Sequence, residues 1–145
     1  MEQRVSFVTL AVRDLAASHR FYVEGLGWTP EFHDPDEVLM FRAGPLTVLS
    51  LWDLAHFEAE VGASARSGPG VVPMTLSHNV HEREQVDSVL GDARAAGASE
   101  ISEAVEREWG GYTGYFADPD GFRWEVAWNP GPVGRLVLPP VADTT

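Results

Sequence analysis

Two stretches of the chain repeat the same pattern of apolar and polar positions. Residues 7–12 read Phe-Val-Thr-Leu-Ala-Val, residues 73–78 read Pro-Met-Thr-Leu-Ser-His, and a segment with helical spacing follows each of them. Three strand-like runs come after each helix, at 28–33, 38–42 and 46–52 in the first half and at 99–107, 112–117 and 122–128 in the second. The order strand–helix–strand–strand–strand therefore occurs twice, and such a repeat of a supersecondary unit is a strong signal of fold.

Capping residues place the predicted helices. Asp14 can cap the first helix, and Asn79 with Glu82 three residues later predicts a capping box at the start of the second. Gly97 is the predicted residue just beyond the end of that second helix. A further short helix is predicted over residues 54–61, directly before the small and flexible stretch that joins the two halves.

A β-hairpin is predicted around the turn Asp118-Pro119-Asp120-Gly121. Pro fixes φ, Gly tolerates a positive φ, and aromatic and β-branched residues flank the turn on both sides. Because side chains alternate between the faces of a strand, the apolar residues at 122, 124, 126 and 128 share one face, which is predicted to be core. Glu125 lies on the opposite face, where it lines a cavity, reaches water or pairs with Arg123.

Three motifs carry a resemblance to a known family. They are Phe-Val-Thr-Leu-Ala-Val-Arg-Asp-Leu at 7–15, Arg-Phe-Tyr-Val-Glu-Gly-Leu-Gly-Trp at 20–28, and Asp-Pro-Asp-Gly-Phe-Arg-Trp-Glu at 118–125. Over roughly residues 4 to 130, the chain resembles the vicinal oxygen chelate superfamily, which includes glyoxalase I, bleomycin-resistance proteins and extradiol dioxygenases. The resemblance implies an α+β fold in which paired βαβββ modules form a curved, half-open barrel around a cavity.

The repeat and the resemblance together divide the chain. The first module is expected at residues 1–62, a linker at 63–71, the second module at 72–130 and a C-terminal tail at 131–145. Within that tail, the apolar segment 135–138 is expected to add an edge strand or to pack on a partner.

The resemblance also implies four strand positions that hold a divalent metal ion in metal-dependent relatives. Those positions fall on Phe7, Ser50, Pro73 and Glu125, so only Glu125 keeps an acid. Phe and Pro offer no lone pair, a Ser hydroxyl is a poor ligand for a divalent ion, and a catalytic zinc site normally has three protein ligands. We therefore expect neither a divalent metal nor another cofactor. A relocated metal site built from the histidines remains an alternative, although no two of them have the helical i,i+4 spacing.

Composition narrows the class of partners. The 145 residues include 22 acidic and 10 basic side chains, which gives a net charge of −12. That excess argues against nucleic acid and against anionic membranes as partners. The sequence contains no Cys, so it has neither a disulfide framework nor a thiol nucleophile. It also lacks an apolar run of the about 20 residues needed to span a bilayer, and its first residues lack the apolar core of a signal peptide, so a cytoplasmic location is expected.

Without the metal, the expected cavity is an apolar pocket with a few polar groups, as ligand sites usually are. The predicted ligand-binding residues are Phe7, Thr9, Ser50, Trp52, Pro73, Thr75, Trp109, Tyr112 and Glu125, with Ser77 as a further polar group. One hypothesis is a binding protein, similar to the bleomycin-resistance branch, that holds a small aromatic or cationic molecule in a metal-free cavity. The alternative is a glyoxalase- or dioxygenase-type enzyme (a lyase, isomerase or oxidoreductase), with or without a metal, in which Glu125 is the catalytic acid or base. Because relatives commonly pair their modules, a homodimer is expected in either case.

Overall fold

The computed structural model describes residues 1, 3, 5–62, 72 and 74–138. Contacts divide the chain into two compact units, Met1–Gly70 and Val71–Thr145. Three features of the sequence-based interpretation, namely the linker at 63–71, Pro73 and the tail beyond residue 138, lie outside the described residues.

The first unit is a four-stranded mixed sheet with its helices. Its strands are β1 (Phe7–Val12), β2 (Phe32–Asp34), β3 (Val38–Arg42) and β4 (Val48–Asp53). They lie in the order β1-β4-β3-β2, with β1 parallel to β4 and the other neighbours antiparallel. Helix α1 (Leu15–His19) continues into a π-helical segment (Arg20–Gly25), and helix α2 (Leu54–Val61) follows β4.

The second unit repeats this arrangement. Its elements are β5 (Thr75–Val80), α3 (Glu84–Ala95), β6 (Ser99–Glu106), β7 (Tyr112–Ala117), β8 (Arg123–Trp128) and a short helix α4 (Pro132–Leu136). The strands lie in the order β5-β8-β7-β6, and β5 is parallel to β8. The prediction of an α+β chain built from two βαβββ modules is therefore confirmed.

A helix covers one face of each sheet and leaves the other face for a site. In the second unit, α3 packs on β6, β7 and β8 through buried Val86 and Leu90. The packing is close, since a Cβ on Gly114 would lie 2.5 Å from the Leu90 side chain. Because side chains alternate along a strand, the neighbours of Gly114 at 113 and 115 must lie on the face away from α3.

The predicted caps have mixed outcomes. Asp14 caps α1, since its Oδ1 accepts a hydrogen bond from the Ala17 N–H at 2.8 Å, and Gly97 follows α3 with φ +94. The capping box at Asn79 is wrong, because β5 continues through Val80 in its pairing with β8 and keeps the backbone extended there. Helix α3 begins only at Glu84.

Two further element predictions need correction. The tail segment around 135–138 does not add an edge strand: residues Pro132–Leu136 form α4, with Pro132 at the helix start, where its missing N–H costs nothing. The strand predicted at 28–33 is reduced to Phe32–Asp34, because Trp28 instead donates its N–H to the Tyr22 carbonyl at 2.9 Å at the end of the π-helical segment. Among the described residues, no helix is both long and apolar enough to cross a membrane.

Candidate functional site

The uncovered face of the first sheet holds a cavity of about 220 Å³. Pairing between the strands places Thr9 and Met40 on either side of Ser50, which is 3% exposed. We name this pocket the first-sheet cavity and define it by its lining residues, Phe7, Thr9, Glu37, Val38, Met40, Ser50 and Trp52. Four of the residues predicted to bind ligand, Phe7, Thr9, Ser50 and Trp52, thus share one cavity.

Trp52, which lines this cavity, also carries an unsatisfied and buried donor. Its indole Nε1 is buried and has no hydrogen-bond partner among the described residues. The Phe57 ring of α2 packs edge-on against the indole, with 6.2 Å between the ring centroids. A buried N–H without an acceptor costs about 1–3 kcal/mol.

Glu37 adds a negative charge to the same cavity. Its backbone is fixed by two hydrogen bonds, one from its N–H to the Asp34 carbonyl at 3.2 Å and one from the Asp53 N–H to its own carbonyl at 2.8 Å. Within the described ranges, no Arg or His forms a salt bridge with the Glu37 carboxylate. The first-sheet cavity therefore combines apolar walls with one acidic residue, Glu37, that has no salt-bridge partner in the part of the chain that the structure describes.

In the second unit, Glu125 lies at the centre of a polar row that crosses three strands. Ser77 of β5 and Tyr115 of β7 are its direct cross-strand neighbours. The Ser77 hydroxyl donates to Glu125 Oε2 at 3.0 Å, and the Tyr115 hydroxyl donates to Oε1 at 2.8 Å. We name these three residues the Glu125 row. Both oxygens of the carboxylate are held by hydroxyl donors, and each keeps a lone pair for a further donor.

The alternative in which Glu125 pairs with Arg123 does not apply. Arg123 instead forms a salt bridge with Glu100 at the start of β6. Glu125 consequently has hydroxyl partners and no ion pair within the described part of the chain.

Tyr115 has a perturbed hydroxyl. Burial raises the pKa of Tyr115 above its ordinary value, and the hydrogen bond to Glu125 raises it further, since the carboxylate stabilises the protonated phenol. Next to it, Arg107 donates from Nε to the buried Thr113 hydroxyl at 2.7 Å, and its guanidinium carbon lies 5.8 Å from the centre of the Tyr115 ring. The Arg107 guanidinium, the Tyr115 phenol and the Glu125 carboxylate therefore lie next to one another, in that order, on this face of the sheet.

The remaining predicted site residues of the second unit do not all lie on the same face of the sheet. Thr75 pairs with Arg123 at the start of β5, in the same alternating set as Ser77. Tyr112 lies on the α3 side, where its hydroxyl donates to Asp87 at 3.1 Å, so the structure does not bring it to the Glu125 row. Pro73 is outside the described residues.

Trp109 lies over the uncovered face. A Cβ on Gly111 would fall 1.8 Å from the Trp109 ring, so the indole occupies the space beside Gly111. Residue 111 precedes β7 by one position and has the same parity as Thr113 and Tyr115, so its missing side chain would point away from α3. The indole is 55% exposed and is available for contact with a ligand.

Two histidines meet in the first unit, outside the first-sheet cavity. The imidazoles of His19 and His33 stack with 4.8 Å between centroids, and His19 Nδ1 lies 3.4 Å from Glu24 Oε1. They line a second cavity of about 310 Å³ together with Ala16, Arg20 and Pro35. Even so, no three His, Asp or Glu side chains in the described ranges are arranged to hold a metal ion.

Comparison with known proteins assigns the family. A model of the Glyoxalase/Bleomycin resistance protein/Dioxygenase superfamily matches residues 4–126. The chain belongs to this superfamily. A solved glyoxalase-related enzyme from Fulvimarina pelagi is 39% identical, with a TM-score of 0.82, and the match covers 98% of this chain and 95% of that one.

Other superfamily structures share the fold at lower identity. A glyoxalase/bleomycin resistance protein/dioxygenase from Nocardioides is 27% identical over 90% of this chain and 89% of its own, with a TM-score of 0.73. The lactoylglutathione lyase from Agrobacterium tumefaciens is 20% identical over 88% of this chain and 95% of its own, with a TM-score of 0.65. No protein among those with curated descriptions matches the chain.

The metal site that the superfamily implies does not fit the residues of this member. At the expected positions of the first sheet, Phe7 carries no donor atom and Ser50 offers only a hydroxyl. Glu125 supplies one carboxylate, whose oxygens already accept from Ser77 and Tyr115. One carboxylate and one hydroxyl do not amount to the three or more ligands of a catalytic metal site.

Sequence reasoning missed four residues that the structure places at these sites. Met40 of the first-sheet cavity follows from the pairing of β3 with β4, whereas Glu37 precedes β3 and has no partner in that register. Tyr115 could have been found by counting back from the Asp118–Gly121 turn, since the hairpin register pairs it with Glu125. Arg107 carries no such signal, because the pairing of β6 with β7 shifts register twice.

Proposed function

We propose that this superfamily member binds a small aromatic or cationic molecule in the first-sheet cavity without a metal ion. The observation that carries the proposal is the shared lining of that cavity by Phe7, Thr9, Ser50 and Trp52, together with the Glu37 carboxylate. Apolar walls with a few placed polar groups are the usual composition of a small-molecule site.

The size and charge of the cavity limit the ligand. At about 220 Å³ the cavity is smaller than the range of about 300–1,000 Å³ that encloses drug-sized molecules, so it suits a single ring with short substituents. A cationic ring is favoured because the Glu37 carboxylate and the Trp52 indole can both attract it, by charge and by cation–π interaction. The net charge of −12 adds a long-range attraction for cations.

The buried Trp52 N–H supports a further feature of the ligand. It is buried and lacks an acceptor among the described residues, so a ligand that makes the indole rotate towards the cavity gains a hydrogen bond through a carbonyl or hydroxyl of its own. The ligand we propose therefore carries an aromatic or cationic ring and one hydrogen-bond acceptor. The proposal also includes a homodimer, a cytoplasmic location and the absence of a divalent metal or other cofactor.

An enzyme is the second candidate. In that case Glu125 acts as acid or base on a substrate at the uncovered face of the second sheet, with Tyr115 and Ser77 holding its carboxylate. This reading is supported by the 39% identical protein from Fulvimarina pelagi, which is described as a glyoxalase-related enzyme. We rank it second because both oxygens of the Glu125 carboxylate already accept hydrogen bonds from hydroxyl groups of the protein.

Calorimetric titration with 1-methylnicotinamide tests the binding proposal, since this probe has a cationic ring and an amide carbonyl. Nicotinamide, which lacks the charge, and 1-methylpyridinium, which lacks the acceptor, are the matched probes. Glu37→Gln should reduce the ratio of the affinity for 1-methylnicotinamide to that for nicotinamide, because the variant loses the carboxylate. Trp52→Phe should reduce the ratio of the affinity for 1-methylnicotinamide to that for 1-methylpyridinium, because the variant loses the N–H donor. Glu60→Gln, an exposed acid on α2, should change neither preference.

The proposal fails if no probe binds, or if the Glu37 and Trp52 variants bind like the parent protein. A native mass spectrum of protein purified from its source then gives the mass of any bound ligand, metal and oligomer together. Bound ligand released unchanged supports binding, whereas its conversion with turnover supports the enzyme candidate.

A further inference from the structure

Arg107 occupies an unusual position in this acidic protein. It follows β6 directly and is held by a tight turn, in which its N–H donates to the Gly111 carbonyl at 2.8 Å and its carbonyl accepts from the Gly110 N–H at 2.8 Å. Its side chain is half-buried and reaches the uncovered face of the second sheet, where Nε donates to Thr113, which is fully buried. Local structure therefore fixes where the guanidinium lies.

Most of the N–H donors of this guanidinium have no partner among the residues that the structure describes. An Arg side chain has five N–H donors, and among the described residues only the Nε donor of Arg107 has a partner. Arg42, Arg83, Arg94 and Arg123 each pair with a Glu carboxylate. In a chain with 22 acids and 10 basic residues, a half-buried Arg without a carboxylate partner stands apart from these pairs.

An aromatic surface lies on the same face as this guanidinium. The Trp109 indole, 55% exposed, covers the position where a side chain of Gly111 would be, away from α3. The Tyr115 ring lies 5.8 Å from the Arg107 guanidinium carbon. A flat ring with an attached anionic group would satisfy both features, because an indole stacks on rings and the terminal N–H groups of Arg form a planar fork.

We infer that Arg107 and Trp109 form a subsite for an aromatic carboxylate. The carboxylate accepts two parallel hydrogen bonds from the terminal nitrogens of Arg107, and the ring of the ligand contacts the Trp109 indole. Tyr115 lies between Arg107 and Glu125, so the Glu125 carboxylate is close enough to repel an anionic ligand. This repulsion is larger for a doubly charged phosphate than for a singly charged carboxylate, so a carboxylate is favoured. This subsite lies in the second unit and does not depend on the proposed role of the first-sheet cavity.

The inference is tested by titrating the protein with sodium benzoate at low ionic strength and following Trp fluorescence and calorimetric heat. Arg107→Gln should weaken benzoate binding by about 10- to 100-fold, as for a lost pair of charge-assisted hydrogen bonds. Arg107→Lys keeps the charge but loses the fork, so it should recover only part of the affinity. The matched control, Arg94→Gln, removes a surface Arg that pairs with Glu103 and should leave benzoate affinity within twofold.

The aromatic half of the subsite has its own test. Gly111→Ala places a methyl group where the Trp109 ring now lies, at a position whose φ is not positive, so it should displace the ring while the fold is kept. Binding of benzoate should then fall towards that of acetate, and thermal unfolding of the variant checks that it is folded. Trp109→Leu should have the same effect without any change in the backbone.

Four outcomes would overturn the inference. The first is the absence of saturable benzoate binding at millimolar concentration, and the second is an equal affinity in the Arg107→Gln variant. Tighter binding of phenyl phosphate than of benzoate would reject the carboxylate assignment. Loss of benzoate binding in Trp52→Phe but not in Arg107→Gln would place benzoate in the first-sheet cavity, which rejects this subsite while leaving the proposed function standing.

Discussion

The Tyr115 hydroxyl lies 2.8 Å from Glu125 Oε1 and donates a hydrogen bond to it across the β7–β8 pair. Ser77 donates to the second carboxylate oxygen from β5, so side chains as well as backbone hydrogen bonds join the three strands. A carboxylate with both oxygens held is restricted to one orientation, in which its remaining lone pairs are available to the next donor. The Glu125 row is in this sense a preformed acceptor site.

The hydrogen bond between Tyr115 and Glu125 should be measurable as an interaction energy between the two side chains in the free energy of unfolding. Tyr115→Phe should lower the free energy of unfolding by about 1 kcal/mol, the usual net value of one hydrogen bond. Urea unfolding of Tyr115→Phe, Glu125→Gln and the double variant should show non-additive effects, since the two side chains are in contact. Tyr112→Phe, which loses its bond to Asp87 on the α3 side, is the matched control and should be additive with Glu125→Gln.

A pH titration should show the same contact through the pKa of the Tyr115 hydroxyl. The pKa of Tyr115 is raised above 10.0, first by burial and then by its hydrogen bond to Glu125. Because the folded-state pKa exceeds the unfolded one, the folded state holds this proton more tightly. The corresponding stability is fully present below about pH 10 and is lost as the pH rises through the folded-state pKa.

Absorbance near 295 nm, compared between the parent protein and Tyr115→Phe, isolates the titration of this phenol. Glu125→Gln should move the pKa of Tyr115 down towards its ordinary value without reaching it, since burial remains. An unchanged titration in Glu125→Gln would mean that the two groups do not interact in solution.

The fold followed from the sequence because its signals agree at two levels. Strand alternation placed Phe7 and Thr9 opposite the buried Leu10 and Val12, and the repeated order of elements gave both sheets. Alternation also put Ser50 and Trp52 on the cavity face. Turn chemistry was a weaker guide where pairing competes with it, as at Asn79, where the pairing of β5 with β8 extends past the expected cap.

The site was predictable only in part, for a related reason. Residues found by parity on a regular strand were placed together, whereas Glu37 follows a turn and Arg107 follows the irregular β6. For neither residue does strand alternation in the sequence show which face of the sheet its side chain occupies. Tyr112 illustrates the opposite case, since it lies on a regular strand and shares parity with Gly114, which faces Leu90 of α3, and that parity assigns it to the covered face.

Purified protein should contain much less than one equivalent of Zn, Ni, Mn or Fe. The reason is the donor set: Phe7 has no lone pair, Ser50 supplies a hydroxyl, and Glu125 supplies the one carboxylate. Elemental analysis of protein prepared without chelators measures this directly, with Glu125→Ala as the comparison. Near-stoichiometric metal that disappears in Glu125→Ala would show that the chelate is rebuilt from other residues.

The protein should sediment as a homodimer, at twice the chain mass of 15.9 kDa. Within the described residues each four-stranded sheet has an outermost strand on either side, and such edge strands favour pairing with a further strand. Analytical ultracentrifugation at micromolar concentration, repeated at high salt to screen the repulsion of the net charge of −12, checks this expectation. A single species near 15.9 kDa in both buffers would contradict it.

Substitution of Glu125 tests whether its carboxylate binds a ligand or only stabilises the fold. If its carboxylate receives a cationic or donor group of a ligand, Glu125→Gln should weaken binding of protonated benzylamine by about 1.5–3 kcal/mol, as for a lost charge-assisted hydrogen bond. Stability should change little, because a Gln side chain can still accept from one of the two hydroxyls that now hold the carboxylate. Glu100→Gln removes an acid that pairs with Arg123 in the same sheet and should leave benzylamine binding unchanged.

The opposite pattern has an equally definite meaning. If calorimetry shows unchanged benzylamine binding in Glu125→Gln while urea unfolding shows a clear loss of stability, the carboxylate serves to join β5, β8 and β7 and does not receive a ligand. Ser77→Ala loses its hydrogen bond to Glu125 in either role, so both roles predict a lower free energy of unfolding. The two roles differ in the affinity for benzylamine: in the binding role the freed lone pair of Glu125 raises it, whereas in the structural role the affinity does not change.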